Sequence, residues 1–288
     1  MTSRALSTDT YVLPAHLRAV PARIAFYGMT SVLGAFFALP MLWLLLAPFN
    51  PRGTLALEVP TALTLGHFQV VFANAFAVRA LLNSVILAGG TMIAVTLAAT
   101  LAAYALSRAE VPHYELLTYG LILFSSVVTG TAAMVPIFLL ANALGLVDTY
   151  IGVILAFTGG LLPTAIFILR DFVEELPRSY EESAMVCGAT SWQMFRDIVA
   201  PLVRPGMMVV AIWAFVNVWG AFLIPFVLLR SPERMPAAIA TYSFYTEAGT
   251  PILTLTSAYA LLYATPVLVL YLFVNARYGF RFFGGIKR

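Results

Sequence analysis

The chain has 288 residues, of which 61% are hydrophobic and only 10% are charged. Soluble globular proteins have roughly 45–50% apolar and about 25% charged residues. A soluble fold of this size could neither bury so much apolar surface nor cover its outside with charge. The single cysteine excludes a disulfide scaffold, and the low charge content excludes a disordered chain. The net charge of +3 is modest, so the composition indicates an integral membrane protein.

Six stretches without Asp, Glu, Lys or Arg are long and apolar enough to cross a bilayer, which takes about 20 residues. They are residues 24–51, 80–107, 116–147, 149–169, 205–229 and 248–276. A seventh uncharged stretch, 59–78, is too polar for a span and contains Pro60, Gly66, His67, Gln69 and Asn74. We expect it to be an external segment with short amphipathic helices. The sequence therefore predicts an all-α membrane protein with six transmembrane helices.

The distribution of basic residues predicts the orientation of the chain. If both termini are cytoplasmic, twelve of the 16 basic residues lie in internal segments and four in external ones, as the positive-inside rule requires. The external four are Arg52, Arg79, Arg230 and Arg234. We therefore expect a multi-pass plasma-membrane protein with a cytoplasmic N-terminal segment (1–23), a permease domain (24–276) and a cytoplasmic C-terminal tail (277–288).

The spans lack the groups that membrane chemistry needs. No acid, base or histidine lies inside them, whereas proton-driven transporters place ionisable groups within the membrane and intramembrane proteases need a nucleophile with a base, paired aspartates or a metal site. The one lysine, Lys287, precedes Arg288, so a phosphate-binding loop of the G-x-x-x-x-G-K-[ST] type is absent. We predict no catalytic residue, metal site or cofactor, and any energy for transport must come from a partner.

The polar residues of the spans are mild, and they include Thr129 in the third span and Asn217 in the fifth. For any single residue, a hydrogen bond within or between helices is the preferred interpretation. The alternative interpretation is that some of these residues line a pathway for an uncharged, hydroxyl-rich solute.

The segment between the fourth and fifth spans, residues 171–204, has strong turn signals. Capping boxes are predicted at Ser179–Glu182 and Thr190–Gln193, and Gly188 fits the left-handed position that ends a helix. Pro177 is expected to stop the preceding helix, and Pro201 and Pro205 to mark a break before the next span. An apolar stripe is expected along the second helix, at Trp192, Phe195, Val199 and Leu202.

The sequence thus predicts two short helices joined at a glycine elbow on the cytoplasmic side. Such a pair could lie on the lipid surface or dock against a protein. Charges of both signs, at Arg178, Glu181, Glu182, Arg196 and Asp197, favour a protein partner somewhat, because lipid-surface helices prefer Lys and Arg.

The elbow resembles the EAA motif of binding-protein-dependent ABC importer permeases. Glu182-Ser183-Ala184 precedes Gly188 by three residues, and nine more residues lead to Ile198-Val199-Ala200-Pro201. Asn83-Ser84, the run from Ala103 to Arg108, the run from Leu144 to Thr149 and the glycine-rich ending are similar to the maltose-type carbohydrate-uptake permeases. Cys187 and Ala200 depart from the family pattern, and so does Trp219-Gly220-Ala221, where the family commonly has Trp-Asn and a polar residue.

The resemblance implies a type I ABC importer permease fold with six transmembrane helices. The partners would be a homologous permease, two ABC ATPase subunits, an extracytoplasmic solute-binding protein and the lipid bilayer, with no nucleic acid. The elbow would be the coupling helix, through Glu182, Ser183, Ala184, Gly188, Ile198 and Pro201. Thr129, Asn217 and Trp219 are candidates for the solute path.

The expected function is that of the permease subunit of an ATP-driven importer, for a di- or oligosaccharide or a related polyol or glycerol-phosphate solute. The chain itself is not expected to be an enzyme, because ATP hydrolysis would take place on the partner subunits. Two alternatives stay open: the same fold could import a non-sugar solute such as a peptide or metal chelate, or the chain could be a membrane scaffold or assembly subunit without a transport path.

Overall fold

The computed structural model describes residues 15–51, 62–108, 116, 119–123, 130–246 and 249–278. Most of the predicted N-terminal segment and tail therefore lies outside the described residues. The α-helices in chain order are α1 (Ala15–Leu46), α2 (Gly66–Ala73), α3 (Ala75–Arg108), α4 (Met134–Ala143), α5 (Tyr150–Glu174), α6 (Ser179–Val186), α7 (Ser191–Met194), α8 (Ala200–Trp219), α9 (Leu223–Leu228), α10 (Ala237–Ala240) and α11 (Leu253–Tyr278).

The all-α prediction is confirmed: the described part of the chain contains no β-strand, and one isolated bridge pairs Tyr245 with Pro251. Within that part, five helical segments are long and apolar enough to cross a membrane. They are Ala25–Phe49, Ala75–Arg108, Tyr150–Glu174, Ser191–Trp219 and Leu253–Ala276. The shorter apolar segment Thr131–Ala143 lies in the stretch predicted as the third span.

The third predicted span, 116–147, is not one helix. Gly130 has an extended backbone (φ −80°, ψ 166°), and a 3₁₀ turn at Thr131–Ala133 then leads into α4. Pro136 lies in the first turn of α4, where a backbone N–H has no intrahelical partner and proline is therefore tolerated. Local backbone preference thus interrupts a stretch that hydropathy alone treats as continuous. The expectation of a short helix within 59–78 is met by α2, which has eight residues.

The core forms around α3, which packs along α5 and α8. Its buried face repeats every three or four residues, through Ala88, Val95, Ala99 and Ala103, as expected for small residues at membrane helix interfaces. A Cβ atom added to Gly90 would lie 2.6 Å from Ile154 of α5. The contact is with the end of the Ile154 side chain, which would have to shift to make room for a side chain at this position.

The bundle has two ends, which α3 connects. At one, called here the elbow end, α3 stops at Arg108 near α6; at the other, the far end, α3 and α5 begin. A second core cluster, which includes Val71, Ala237 and Tyr259, joins α2, α10 and α11 to the start of α3. By contrast α1 exposes large apolar side chains such as Phe36, as a lipid-facing or subunit-facing helix does.

Candidate functional site

The turn predicted at Gly188 is present. Gly188 has a φ of +83°, its N–H donates to the Met185 carbonyl at 2.9 Å, and the Ala189 N–H donates to the Ala184 carbonyl at 3.0 Å. These two bonds are those of a Schellman motif, which satisfies the free carbonyls at a helix end. No atom lies within 4 Å of an added Cβ, so glycine is favoured here by the positive φ rather than by crowding.

One of the two predicted capping boxes forms. Thr190 Oγ1 accepts from the Gln193 N–H at 3.3 Å, while the Thr190 N–H donates to Gln193 Oε1 at 2.8 Å. The box at Ser179–Glu182 is wrong. Helix α6 begins one residue earlier, with Arg178 as its N-cap, because the Pro177 and Arg178 carbonyls already accept the first N–H bonds. Ser179 is therefore a helical residue, and its carbonyl accepts from the Ser183 hydroxyl.

The break predicted at Pro201 and Pro205 is also wrong. Helix α7 continues through a π-helical turn, Phe195–Val199, into α8, and Pro205 lies inside α8. Pro201 falls in the first turn of α8, where its missing N–H is tolerated. The second helix of the predicted pair is thus the start of the fifth span. The elbow (residues 179–199) leads into α8 without a break in the helix after Ser191.

The π turn also explains why the predicted apolar stripe is only partly buried. Val199 is buried, but Trp192 is 59% and Leu202 47% exposed. The buried positions are instead Met194, Val199 and Val203. A π turn inserts one residue into the helical repeat, which gives the five-residue spacing between the buried Met194 and Val199 where the sequence predicted three or four.

Three of the six predicted coupling residues are exposed. They are Glu182, Ser183 and Gly188, while Ala184, Ile198 and Pro201 are half-buried. The elbow also exposes large apolar side chains: Val186 is 90% exposed, and Tyr180, Met185 and Trp192 are more than half exposed. Cys187 is a free, exposed thiol. Several exposed large apolar side chains in one short segment are typical of an interaction site.

Glu181, which the sequence analysis noted only as one of several charges, is buried. It is 8% exposed, and its Oε1 accepts from Arg108 Nε at 2.8 Å and also from Arg108 Nη2. The other oxygen, Oε2, accepts from the Tyr104 hydroxyl at 3.1 Å. We call Tyr104, Arg108 and Glu181 the clasp. It connects α6 to the end of α3.

The clasp continues into an aromatic cluster. The Phe195 ring in the π turn lies 5.5 Å from the Tyr104 ring and 5.6 Å from the Trp192 ring, centroid to centroid. Contacts of this geometry contribute about 0.5–1.5 kcal/mol each. Tyr104 therefore joins three elements, namely α3, α6 and the turn before α8. A signal for this was present in the sequence: Tyr104 and Arg108 are four residues apart, on one helix face, at the end of a span.

Of the two predicted solute-path residues that the structure describes, Asn217 lines a cavity. Asn217 borders a cleft of about 410 Å³ between α5 and α8, with Thr164, Trp213, Phe157 and Phe222 among its lining residues. The Asn217 amide donates to the Trp213 carbonyl at 2.8 Å.

Trp219 lies elsewhere, and Thr129 is outside the described residues. Trp219 is 4% exposed, its indole N–H donates to the Tyr263 carbonyl at 3.1 Å, and its ring stacks on Phe215 and Tyr263. It therefore ties α8 to α11 in the core rather than lining the cleft. Asn217 and Trp219 are two positions apart in α8, which places them on different faces of the helix.

A polar network holds the far end together. Asn83 donates to the Glu233 and Met235 carbonyls at 2.8 and 2.9 Å and accepts from the Tyr150 hydroxyl. The Ser84 hydroxyl accepts from the Ala237 N–H. We call Asn83, Ser84, Asp148, Tyr150 and the backbone of residues 230–237 the far-end lattice. The resemblance noted in Asn83-Ser84 therefore falls on residues with a structural role.

Asp148 is the charged centre of the far-end lattice. It has a positive φ of 59°, and its Oδ1 accepts from the Arg230 and Ser231 N–H groups, both at 3.0 Å. Its Oδ2 accepts from the Ser231 hydroxyl and from Arg234. The bonds from Ser231 above all, then from Arg230, lower the pKa of Asp148 to about 2.

Comparison with known proteins identifies relatives of the whole chain. Residues 119–278 match the family described as binding-protein-dependent transport system inner membrane component. The trehalose transport system permease protein SugB of Mycobacterium tuberculosis is 29% identical over 88% of this chain and 94% of its own. The maltodextrin transport system permease protein MdxG of Bacillus subtilis is 29% identical over 89% and 92%.

A similar fold occurs in a solved structure. A bacterial ABC transporter involved in the import of the acidic polysaccharide alginate superposes with a TM-score of 0.77, at 18% identity, over 94% of this chain and 100% of that one. At this identity the likeness shows the fold alone. It confirms the ABC importer permease fold implied by the sequence resemblance.

Proposed function

The chain belongs to the binding-protein-dependent transport system inner membrane component family, and from this premise we propose that it is the permease subunit of an ATP-driven importer of a di- or oligosaccharide, or of a related polyol or glycerol-phosphate solute. It is a multi-pass membrane protein, with five long apolar helices among the described residues. The names of relatives, which include trehalose and maltodextrin permeases, support the sugar class. The elbow is the observation that carries the proposal.

We infer that the elbow docks into a groove of an ATPase subunit. Glu182 is exposed in α6, and Gly188 is exposed just after its end. The Arg178 carbonyl accepts hydrogen bonds at the start of α6, and the Schellman turn closes its end. The exposed Met185, Val186 and Trp192 of the same elbow offer apolar surface for contact. This combination of apolar anchors and a rim charge fits a protein socket. Glu182 would meet a basic group there, and Gly188 would allow close backbone approach.

The proposed assembly contains a homologous permease, two ATPase subunits and an extracytoplasmic binding protein. The elbow end would face the cytoplasm, with both chain termini on that side. The grouping of arginines at this end supports the orientation, namely Arg108, Arg170, Arg178, Arg196 and Arg204. The domain bounds proposed above, with the permease domain at 24–276, follow from the same arrangement.

The cleft at Asn217 is the proposed contact for the solute. Its aromatic and apolar lining with a few polar groups is typical of sites for small ligands, and the faces of Trp213 and Phe222 suit the apolar face of a sugar ring. The Asn217 oxygen would accept from a solute hydroxyl, and the Thr164 hydroxyl could donate or accept. Among the described residues that line the cleft, none is charged, which suits an uncharged solute.

The test is reconstitution of the complete complex in liposomes, with ATP hydrolysis and uptake measured for trehalose, maltodextrin and a tripeptide. We expect stimulation by a sugar-loaded binding protein. Glu182→Ala should release the ATPase subunit, and Asn217→Ala should lower uptake while stimulated hydrolysis persists. Glu174→Ala, which removes an exposed carboxylate from the α5 pair with Arg170, is the control. Stimulation by the peptide alone would overturn the sugar class, and normal ATPase binding by Glu182→Ala would overturn the docking role.

A further inference from the structure

We propose that Glu181 is a positioning residue that makes the elbow and α3 move together, so that α3 transmits the ATPase stroke to the far end of the bundle. This rests on the proposed function, because it assumes that an ATPase drives the elbow. Glu181 and Glu182 are neighbours in α6, yet one is buried against α3 and the other is exposed. Glu181 contacts the transmembrane bundle, and Glu182 is left exposed for the proposed ATPase subunit.

The geometry of the clasp restrains rotation as well as distance. Arg108 binds one oxygen of Glu181 and Tyr104 binds the other, and these two donors lie one helical turn apart on α3. Hydrogen bonds are directional, so two bonds from one helix fix the angle of the carboxylate relative to that helix. An apolar contact of the same size could slide. The clasp therefore transmits both translation and rotation of α6 to α3.

Helix α3 is the element that needs such a connection. The elbow is joined to α8 through the π turn, and α6 is joined to α5 by residues 175–178. The nearest end of α3, Arg108, lies 73 residues from Glu181 in the chain. Noncovalent contacts alone decide whether α3 follows the elbow. Apolar packing against α5 and α8 supplies some of them, and at this end the clasp and the Tyr104–Phe195 contact add directional ones.

The other end of α3 is anchored to a different segment. Asn83 and Ser84 hold the backbone of residues 233–237 through three hydrogen bonds. At 1.5 Å per residue, the helix between Ser84 and Arg108 is about 36 Å long, which is enough to cross the bilayer core. A displacement of α3 at the elbow is therefore carried to the loop that contains Asp148's partners, at the opposite end of the bundle.

The charge itself supports a role beyond stability. Burying a carboxylate and a guanidinium costs free energy, and replacing such a pair by apolar residues of similar volume is often neutral or stabilising. Leucines at both positions would pack against the neighbouring core without that cost. What leucines would lack is the fixed geometry of the ion pair.

This difference gives a test that separates coupling from stability. In the reconstituted complex, uptake per ATP hydrolysed is measured for Glu181→Leu, Arg108→Leu, the double variant and Glu181→Gln, with Glu174→Gln as the control. We expect each leucine variant to bind the ATPase and hydrolyse ATP, with uptake per ATP reduced about tenfold. Glu181→Gln keeps one acceptor oxygen, for either Tyr104 or Arg108, so this variant should lie between the leucine variants and the wild type.

The double variant is decisive. It leaves no buried charge unpaired, so its unfolding temperature should return towards that of the wild type while its uptake per ATP stays low. Recovery of uptake per ATP together with stability would overturn the proposal, because the clasp would then be structural only. An unchanged ratio in the single variants would overturn it as well. If the wild-type complex shows no solute-stimulated hydrolysis, the proposed function fails before any variant is compared.

Discussion

The two ends of the bundle each hold a carboxylate with two oxygens occupied, but they do so with different kinds of donor. At the far end, Asp148 accepts from two backbone N–H groups, a hydroxyl and Arg234. At the elbow end, the donors to Glu181 in the described part of the chain are two side chains of α3, Tyr104 and Arg108. Backbone donors cannot change rotamer, whereas Tyr and Arg side chains can reorient with their helix.

The difference indicates which end is internally the more rigid unit. The far-end lattice locks two loops to the start of α3 through main-chain atoms, and Thr149 caps α5 beside it, accepting from the Gly152 N–H at 3.0 Å. At the elbow end, α6 is held to α3 by the Arg108–Glu181 ion pair and the bond from Tyr104, an aromatic contact lies beside them, and the glycine turn has no close neighbours. Three substitutions, from the largest expected effect to the smallest, challenge this contrast.

Gly152→Ala should have the largest effect on stability. The added Cβ would lie 2.3 Å from the Leu146 backbone oxygen, which the Thr149 hydroxyl also holds at 2.7 Å. Because backbone must move, we expect a loss of about 3 kcal/mol, measured as thermal unfolding in detergent. Gly159→Ala on the same helix has open space and should be neutral. Equal stability of the two variants would contradict a rigid far end.

Asp148→Asn should destabilise the far end by about 2 kcal/mol, since charged acceptors lose strength when neutralised. Asparagine tolerates the positive φ, so the effect isolates charge. With its pKa lowered to about 2, Asp148 stabilises the fold above pH 4, and this contribution is lost as the pH falls from about 4 to 2. The wild type should show this loss in unfolding midpoints, and Asp148→Asn should not. Parallel pH curves for both would exclude the assignment.

Gly188→Ala should have the smallest effect, about 1 kcal/mol, because only the left-handed backbone is strained and no atom is crowded. Gly188→Asn should be milder still, as asparagine accepts this conformation. Comparing their uptake separates strain from size: if close approach of an ATPase requires glycine, both variants lose uptake although only alanine loses stability. Full uptake by Gly188→Asn would show that backbone conformation alone matters.

Two of the three local turn and capping signals in the elbow sequence predicted the structure correctly. The Gly188 turn and the Thr190–Gln193 capping box were predicted and are present, since each is closed by groups within about five residues. The Ser179–Glu182 box failed because a start one residue earlier, at Arg178, satisfied the same N–H groups. The predicted break at Pro201 and Pro205 is wrong because both prolines lie in a helix that continues from α7 through the π turn into α8. Both failures are shifts of helical frame that a pattern of residue types does not specify.

Composition and charge spacing by themselves determined that the protein lies in a membrane, that it is all-α, and where its elbow turns, because burial in lipid and helix capping act on each segment separately. Only the tertiary structure decided that Glu181 rather than Glu182 is buried, that Trp219 belongs to the core, and that Asp148 joins two loops. Those outcomes depend on which helix faces meet, and residues 73 or 83 positions apart become neighbours only through packing of the whole bundle.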